Sequence, residues 1–417
     1  MAWVVSAVAL GCGSRSEGPP AESAEDLVAL LDRQTGSLSP GQPGAEVYQS
    51  QPAARREMAA LSDPLRGNIF HALRTSSARR GVTVVPDGRL DAAMDDLARA
   101  LREDEQPHSA AVEFLLGHYG VVEPYPQLRI LRVHRAGEGQ IAPELARSFS
   151  PPGHDPLLSV GIGVSRASSF TSVVVASQPK HLDLAAVPRA FTSGATISLS
   201  GRLLGRFRDP HLYVTDPDGQ AQRYPLNSAA DGFGASVACA RGDGRYQVEV
   251  FGQDHQGPRV LANFPVYCGA APPTEYQGEV SYVAFAIPVD EAEAELLALV
   301  NQARAGAGLG PLAADPELAV VARGHSKDMR DNRFMAHISP TTGTPMDRAR
   351  AAGLSPVRLL ENIGTSGSVE EVHAGLMRSP GHRKAILDPQ VTRVGVGVVV
   401  DAPQNGPISI YATELFR

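Results

Sequence analysis

The stretches "VTRVGVGVVV", residues 391–400, and "PISIYATELF", residues 407–416, close the chain and decide the predicted fold of its C-terminal part. Both are rich in β-branched and other apolar residues, and a Pro/Asn/Gly segment separates them, so we expect two paired strands. Helical patterns precede them in residues 288–308, 315–332 and 368–379. Helices followed by paired strands favour an α+β domain built in layers.

The second and third of these helices have recognisable ends. Asp315 is placed to cap the second helix, with Pro316 at its first position. Ser368 and Glu371 have the spacing of a capping box at the start of the third helix, which we expect to end before Pro380. One apolar stripe along the second helix contains Leu318, Val321, His325 and Met329.

A chain of 417 residues is long enough for two or three domains. Alternating strand patterns with Asp-Gly turns predict a small β-sandwich in the middle, and Pro and Gly residues predict a linker after it. The predicted layout is a signal segment and tether at 1–20, a mixed α/β domain at 21–178, an Ig-like β-sandwich at 179–269, a linker at 270–287 and the layered domain at 288–417.

Two short segments of the first block are similar in sequence to segments of the last block. The segments "RLDAAMDDLARAL" (89–101) and "SVGIGV" (159–164) are similar to "ELAVVARGHSKDM" (317–329) and "RVGVGV" (393–398). Two interpretations stay open: a degenerate copy of the C-terminal fold, or an unrelated mixed α/β domain whose short amphipathic patterns match by chance.

The N-terminus and the charge bear on the location of the protein. The apolar run Trp3–Leu10, followed by Cys12 and a polar stretch, resembles the end of a bacterial lipoprotein signal, which predicts lipidation of Cys12 and a lipid anchor in the membrane. An ordinary secretory signal, or a disordered start with an incidental cysteine, is the alternative. A net charge of −7 makes nucleic acid an unlikely partner.

Cys239 and Cys268 are the other two cysteines. Both lie in strand-like segments, and in an exported chain we expect them to form a disulfide. Two buried free thiols are the alternative. Cysteine and histidine spacings typical of structural zinc sites are absent from the sequence.

The C-terminal motifs together resemble a known family. In order, they are "LVNQARAGAGLGPLAADPELAVVARGHSKDM", "FMAHISPTTGTPMDRAR", "ENIG", "LMRSPGHRKAIL" and "VGVGV". This order is similar to that of the bacterial branch of the CAP superfamily (SCP domain), which comprises cysteine-rich secretory, antigen 5 and pathogenesis-related proteins. The resemblance covers about residues 290–417 and implies a three-layer α-β-α sandwich with a surface cavity lined by histidines and acidic residues.

The resemblance also implies which residues line that cavity. They are His337 in "AHISP", Glu361 in the loop before the third helix and His382 just beyond the end of that helix. Many members carry a second glutamate on the third helix, where this chain has Ser379, so we expect Ser379 in the cavity and only one carboxylate. Two imidazoles and one carboxylate can bind a divalent metal such as Zn²⁺ with open positions.

Simpler interpretations compete for several residues. His325 is expected to pack in the core with a bond to the backbone, and His373 is given no role. Glu361 is either a ligand-binding group or a structural acceptor of backbone N–H groups. Arg348 is expected to form a surface ion pair worth less than about 1 kcal/mol.

Two classes of function remain open on the sequence. The first is an extracytoplasmic, non-enzymatic module, secreted or at the cell surface, that binds a small ligand, a lipid or a divalent metal. The second is a hydrolase, metal-assisted or driven by His and Glu, that acts on peptide or cell-wall material. The sequence contains neither HExxH nor GxSxG, and together with the missing second glutamate this favours binding.

Overall fold

The computed structural model describes residues 4–5, 35–50, 63–102, 105–149, 155–229, 232–284, 286–402 and 408–417. Cys12 and most of the predicted signal segment lie outside these ranges, so its lipidation stays a prediction. Within the described ranges, no helix combines the length and the apolar character needed to cross a bilayer.

The helices are numbered in chain order. They are α1 Pro64–Ala78, α2 Gly88–Ala100, α3 Ser109–His118, a 3-10 helix Arg135–Gln140, α4 Ile141–Ser148, α5 Val289–Gly306, α6 Pro316–Asp331, α7 Pro345–Ala351, α8 Val369–Arg378 and α9 Pro380–Ile386.

The strands are numbered in the same way. They are β1 Val4–Val5, β2 Thr35–Leu38, β3 Val47–Tyr48, β4 Thr83–Pro86, β5 Glu105–Pro107, β6 Gln127–His134, β7 Leu157–Arg166, β8 Phe170–Pro179, β9 Leu182–Leu184, β10 Val187–Pro188, β11 Ala190–Phe191, β12 Thr196–Leu203, β13 Arg208–Thr215, β14 Ala221–Tyr224, β15 Asn227–Ala229, β16 Gly232–Ala238, β17 Gly244–Asp254, β18 Gly257–Cys268, β19 Tyr276–Glu279, β20 Ser281–Val283, β21 Ala313–Ala314, β22 Leu360–Ser366, β23 Arg393–Asp401 and β24 Ser409–Phe416.

The C-terminal domain has the predicted three layers. Its sheet has the order β21-β23-β24-β22, with β21 parallel to β23 and the other neighbours antiparallel. Helices α5, α8 and α9 bury apolar side chains against one face of this sheet, and α6 packs on the other. Alternate side chains of β24 point to opposite faces of the sheet. Ile410 packs in the core with α5, α8 and α9, and Leu415 packs in the core with α6.

Two glycines explain why the "VGVG" stretch matters for this fold. A Cβ atom on Gly395 would lie 2.3 Å from the backbone carbon of Leu318, and one on Gly397 would lie 1.9 Å from the backbone nitrogen of Arg323. Helix α6 therefore crosses β23 at a distance that only glycine permits.

The N-terminal domain repeats this connectivity. Its strands β6-β8-β7-β4 have the same order and directions as β22-β24-β23-β21, with β1 added beside β6. Gly161 and Gly163 of β7 lie against α2, where a Cβ on Gly163 would be 2.0 Å from the carbonyl oxygen of Met94. These features support the interpretation of the block as a degenerate copy, which stays a prediction.

The middle domain is a β-sandwich of two sheets, β11-β18-β17-β13-β14 and β15-β16-β12-β9. The predicted disulfide is confirmed: Cys239 and Cys268 are bonded, with their Cα atoms 5.8 Å apart. Tyr48 and Val122, from the block predicted to be the first domain, belong to the core of this sandwich. The first block thus contributes two residues to the core of the sandwich, while its last strand, β8, ends at Pro179 and the first strand of the sandwich sheets, β9, begins at Leu182.

Residues 270–287, predicted to be a linker, contain two strands instead. Strand β19 pairs antiparallel with β2, and β20 pairs antiparallel with β5. Open strand edges carry backbone N–H and C=O groups that need partners, and this segment supplies them.

Candidate functional site

The segment "RSPGHR" ends one helix and begins another. Helix α8 ends at Arg378, Ser379 has an extended backbone, and α9 begins at Pro380. Proline cannot continue α8 but is well accepted at the first position of a new helix. The third helix thus ends before Pro380 as predicted, and His382 lies just beyond it, in a further short helix, α9, that the sequence analysis did not predict.

Glu361 lies near the start of β22 and is bound by two side chains. His337 Nδ1 is 3.0 Å from Glu361 Oε1, and the Arg348 guanidinium binds Oε2. Arg348 also donates to the carbonyl oxygens of His337 (3.1 Å) and Gly343 (2.7 Å). Glu361 thus lies in a strand rather than in the predicted loop, and within the described ranges its hydrogen bonds are to side chains, which does not support the alternative of a structural acceptor of backbone N–H groups.

The expectation of a surface ion pair at Arg348 was also wrong. The Arg348 and Glu361 side chains are only 5% and 3% exposed. Burial alone would raise the pKa of Glu361, but the hydrogen bond and charge of His337 and the charge of Arg348 hold it below its usual value. Glu361 is therefore an ionised carboxylate that fixes the orientation of the His337 ring.

His382 completes the group that the resemblance implied. Its ring centroid lies 6.4 Å from that of His337. Burial, with a smaller contribution from the charge of His337, lowers the pKa of His382 to about 3. His382 is therefore a neutral imidazole at neutral pH.

Ser379, which was expected in the cavity, makes a different contact. It is buried, and its hydroxyl donates to Oε1 of Glu249 on β17 over 2.9 Å. The hydroxyl therefore binds the β-sandwich. No pattern in the C-terminal sequence indicated that the sandwich contacts this segment.

Glu414 is a buried acidic residue behind the site that sequence reasoning missed. Asn362 Nδ2 donates to Glu414 Oε2 (3.0 Å) and to the carbonyl oxygen of His382 (3.2 Å). Burial raises the pKa of Glu414 to about 7. The available signal was its position in β24, where it shares an inward face with Ile410 and Ala412.

The three site residues do not fit a divalent metal. Within the described ranges, no group of three or more His, Cys, Asp or Glu side chains is arranged to hold a metal ion. The charge of Glu361 is already compensated by Arg348 and shared with His337. Zinc binding at His337, Glu361 and His382 stays a prediction that this geometry does not favour.

The two other histidines of the C-terminal helices have structural surroundings. His325 is fully buried, and its Nε2 lies 3.0 Å from the carbonyl oxygen of Ala336, which agrees with the packed interpretation. His373, to which no role was given, lies on α8, where burial lowers its pKa to about 4.

The N-terminal domain lacks the corresponding carboxylate. In the C-terminal sheet, Glu361 of β22 lies opposite Leu415 of β24 in the strand register, and Leu415 lies opposite Gly395 of β23. At the same place in the other sheet, Leu128 pairs with Ala176, and Ala176 pairs with Gly161. Leucine therefore occupies the position equivalent to Glu361.

Comparisons with known proteins bear on the C-terminal domain. Residues 297–416 match the model of the cysteine-rich secretory protein family. The "Uncharacterized protein YkwD" of Bacillus subtilis (strain 168) is 42% identical over 108 residues, which is 26% of this chain and 42% of that protein. The "Uncharacterized membrane protein YlbC" of the same organism is 37% identical over 111 residues, covering 25% and 31%. The chain thus spans less than half the length of these relatives.

One solved structure with a detectable likeness is an extracellular protein containing an SCP domain from Bacillus anthracis str. Ames. It is 18% identical, covers 52% of this chain and 81% of its own, and has a TM-score of 0.28. A cysteine-rich secretory protein from Staphylococcus aureus is 14% identical, covers 61% and 84%, and has a TM-score of 0.24.

Proposed function

We propose that this chain, whose residues 297–416 match the model of the cysteine-rich secretory protein family, is an extracytoplasmic protein whose C-terminal domain binds a small ligand or lipid at His337, Glu361 and His382. The observation that carries the proposal is the preorganised pair of imidazoles. One is oriented by a buried, ionised carboxylate, and the other is neutral through burial. Such groups offer fixed hydrogen-bonding atoms to a ligand at little cost in ordering.

An extracytoplasmic location is supported by the Cys239–Cys268 disulfide, because disulfides persist in oxidising compartments. Lipidation of Cys12 and attachment to a membrane belong to the same proposal, with secretion of the soluble chain as its alternative. Mass spectrometry of the native membrane fraction distinguishes the two, since a lipidated N-terminal peptide appears only in the first case.

The N-terminal domain is proposed to be a degenerate copy of the same fold that has no site. The shared strand order and the two glycines against α2 support the common fold. Leu128 at the position equivalent to Glu361 supports the loss of the site. We therefore expect one ligand per chain.

A hydrolase driven by His and Glu is the second candidate, and one observation favours it. The contact between His337 Nδ1 and Glu361 is the arrangement by which a carboxylate orients a general base. The Ser379 hydroxyl, between α8 and α9, is bound to Glu249 instead of to an imidazole.

The test is a ligand-binding comparison on the full chain. Native mass spectrometry of the purified protein identifies a co-purifying ligand, and calorimetry measures its rebinding. We expect the His337→Ala/His382→Ala variant to lose at least tenfold in affinity while its circular dichroism stays unchanged, since neither residue belongs to the apolar core. His71→Ala, at an exposed position of α1, is the matched control.

Two results would contradict the binding proposal. Undiminished binding by the double variant would reject the site. Hydrolysis of peptide or cell-wall material that disappears in the double variant but persists in the control would favour the enzyme.

A further inference from the structure

A hairpin of the β-sandwich reaches the first histidine of the site. The hairpin consists of β17 and β18, and its tip lies at residues 254–257. Ile338 N donates to the carbonyl oxygen of Gln256 over 3.1 Å. A Cβ atom on Gly257 would lie 3.5 Å from Cβ of His337, so the backbone of the tip passes close to that residue.

The same hairpin also contacts the helix that carries the second histidine. Glu249 of β17 is fully buried and accepts hydrogen bonds from Ser379 Oγ (2.9 Å) and Gly381 N (3.3 Å). The Phe251 ring lies directly against Gly381, where a Cβ atom would be only 2.7 Å from the ring. Gly381 immediately precedes His382, so the same hairpin contacts both the segment that carries His337 and the helix that carries His382.

Ion pairs also connect the hairpin, directly and through Arg206 of the sandwich, to Asp155 of the N-terminal domain. Arg206 forms ion pairs with Asp254 at the tip (2.6 Å) and with Asp155 (3.3 Å). Arg259 of β18 forms a further ion pair with Asp155 (3.2 Å). The hairpin is therefore positioned over the site independently of its contact with the C-terminal domain.

The contact between the hairpin and α9 has the chemistry of a reversible interface. Among the described residues, no Lys or Arg side chain forms an ion pair with Glu249, which contacts only a hydroxyl and a backbone N–H. A buried carboxyl group without a cation gains solvation when the contact opens, which offsets part of the lost packing. Interfaces of this polar character between domains permit relative motion.

We propose that the β17–β18 hairpin is an intramolecular cover of part of the site, and that His337 and His382, which are partly exposed with the hairpin in place, become more accessible when the hairpin separates from α9. The inference rests on the proposed function for the importance of the site. The cover itself can be tested without any ligand.

The experiment measures the accessibility of the imidazoles in the full chain with diethyl pyrocarbonate, followed by peptide mass spectrometry. His255 is exposed at the tip of the same hairpin and serves as the internal reference. In the wild type, we expect His337 and His382 to react at least tenfold more slowly than His255.

Two variants open the cover by different means. Phe251→Ala removes the ring that packs on Gly381, and Gly381→Leu places a side chain in the space of that ring. Both should raise the labelling rate of His337 and His382 at least threefold relative to His255. Gly375→Leu is the matched control, because this helical glycine of α8 has open space around it, and its labelling rates should equal those of the wild type.

Equal rates in the wild type and in a folded Phe251→Ala variant would overturn the cover, whatever the fate of Gly381→Leu. Fast labelling of both histidines in the wild type would overturn it as well. Faster labelling in the variants, combined with no ligand binding by any form, would reject the proposed function and leave the cover standing.

Discussion

Glu361 shows what single residues contribute to the site. The sequence identified Glu361 and predicted an ion pair at Arg348, but it did not show that the two residues are partners or that their pair is buried, because Arg348 approaches from a separate element, α7. Glu249 could not be predicted for a stronger reason. It lies in another domain, and only the packing of the β-sandwich on α9 brings it to Ser379. Local patterns thus identify the histidines, whereas tertiary packing determines their partners.

The Arg348–Glu361 pair gives a prediction at this scale. Arg348→Leu leaves a buried carboxylate without its cation, and we expect the free energy of unfolding to fall by about 3 to 5 kcal/mol. Replacing both residues, as in Arg348→Leu/Glu361→Leu, removes the unpaired charge and should recover most of that loss. Scanning calorimetry of the full chain checks both values. A double variant as unstable as the single one would show that the loss comes from packing instead.

At the scale of elements, capping patterns predicted the helix starts well. Asp315 caps α6 and Ser368 caps α8, as expected from the sequence. The predicted capping box of α8 is only half present, because the Glu371 carboxylate binds Ser109 N (2.8 Å) and His108 Nε2 (2.9 Å) of the N-terminal domain. Glu371 therefore binds residues of another domain instead of the backbone N–H of its own helix cap. A sequence pattern within one helix contains no information about such contacts between domains.

The strand glycines that lie against helices α6 and α2 give a prediction about stability. A methyl group on Gly397 or Gly163 would collide with the backbone of α6 or α2, so each substitution to alanine should cost about 1 to 3 kcal/mol or more. Gly324→Ala, on α6 with open space around it, should instead stabilise by about 0.5 to 1 kcal/mol. Thermal melting of the three variants decides the matter. Equal melting temperatures for Gly397→Ala and the wild type would mean that α6 can move away from β23.

At the scale of the whole molecule, two kinds of buried titratable group change the stability in opposite directions as the pH rises. Burial lowers the pKa of four histidines to about 3 or 4, and it raises the pKa of three carboxyl groups to about 7 or 8. They are His181, His325, His373 and His382, and Asp91, Glu249 and Glu414. Below the ordinary histidine pKa of 6.5, the unfolded chain binds protons that the folded histidines refuse, so stability falls on acidification.

The carboxyl groups act in the opposite direction. Their folded forms hold protons that the unfolded chain releases above about pH 4 to 5, so their contribution to stability declines from there and is lost once the pH has risen through 7 to 8. We therefore expect the melting temperature to be highest near about pH 6 and to fall on both sides. Glu249→Gln/Glu414→Gln should flatten the alkaline side and steepen the acid side, as measured by calorimetry from pH 4 to 9. An unchanged alkaline slope in this variant would contradict the assignment.

The strands of residues 276–283 also have a consequence for synthesis on the ribosome. Strands β2 and β5 are made early, but their partners β19 and β20 follow much later in the chain. For β2 the delay is roughly 240 residues, or roughly ten to fifty seconds at common rates of translation. During that interval the nascent N-terminal domain carries two unpaired edges that are open to other chains. Emergence of the segment before α5 thus ends the aggregation-prone phase of biosynthesis, before the site has been made.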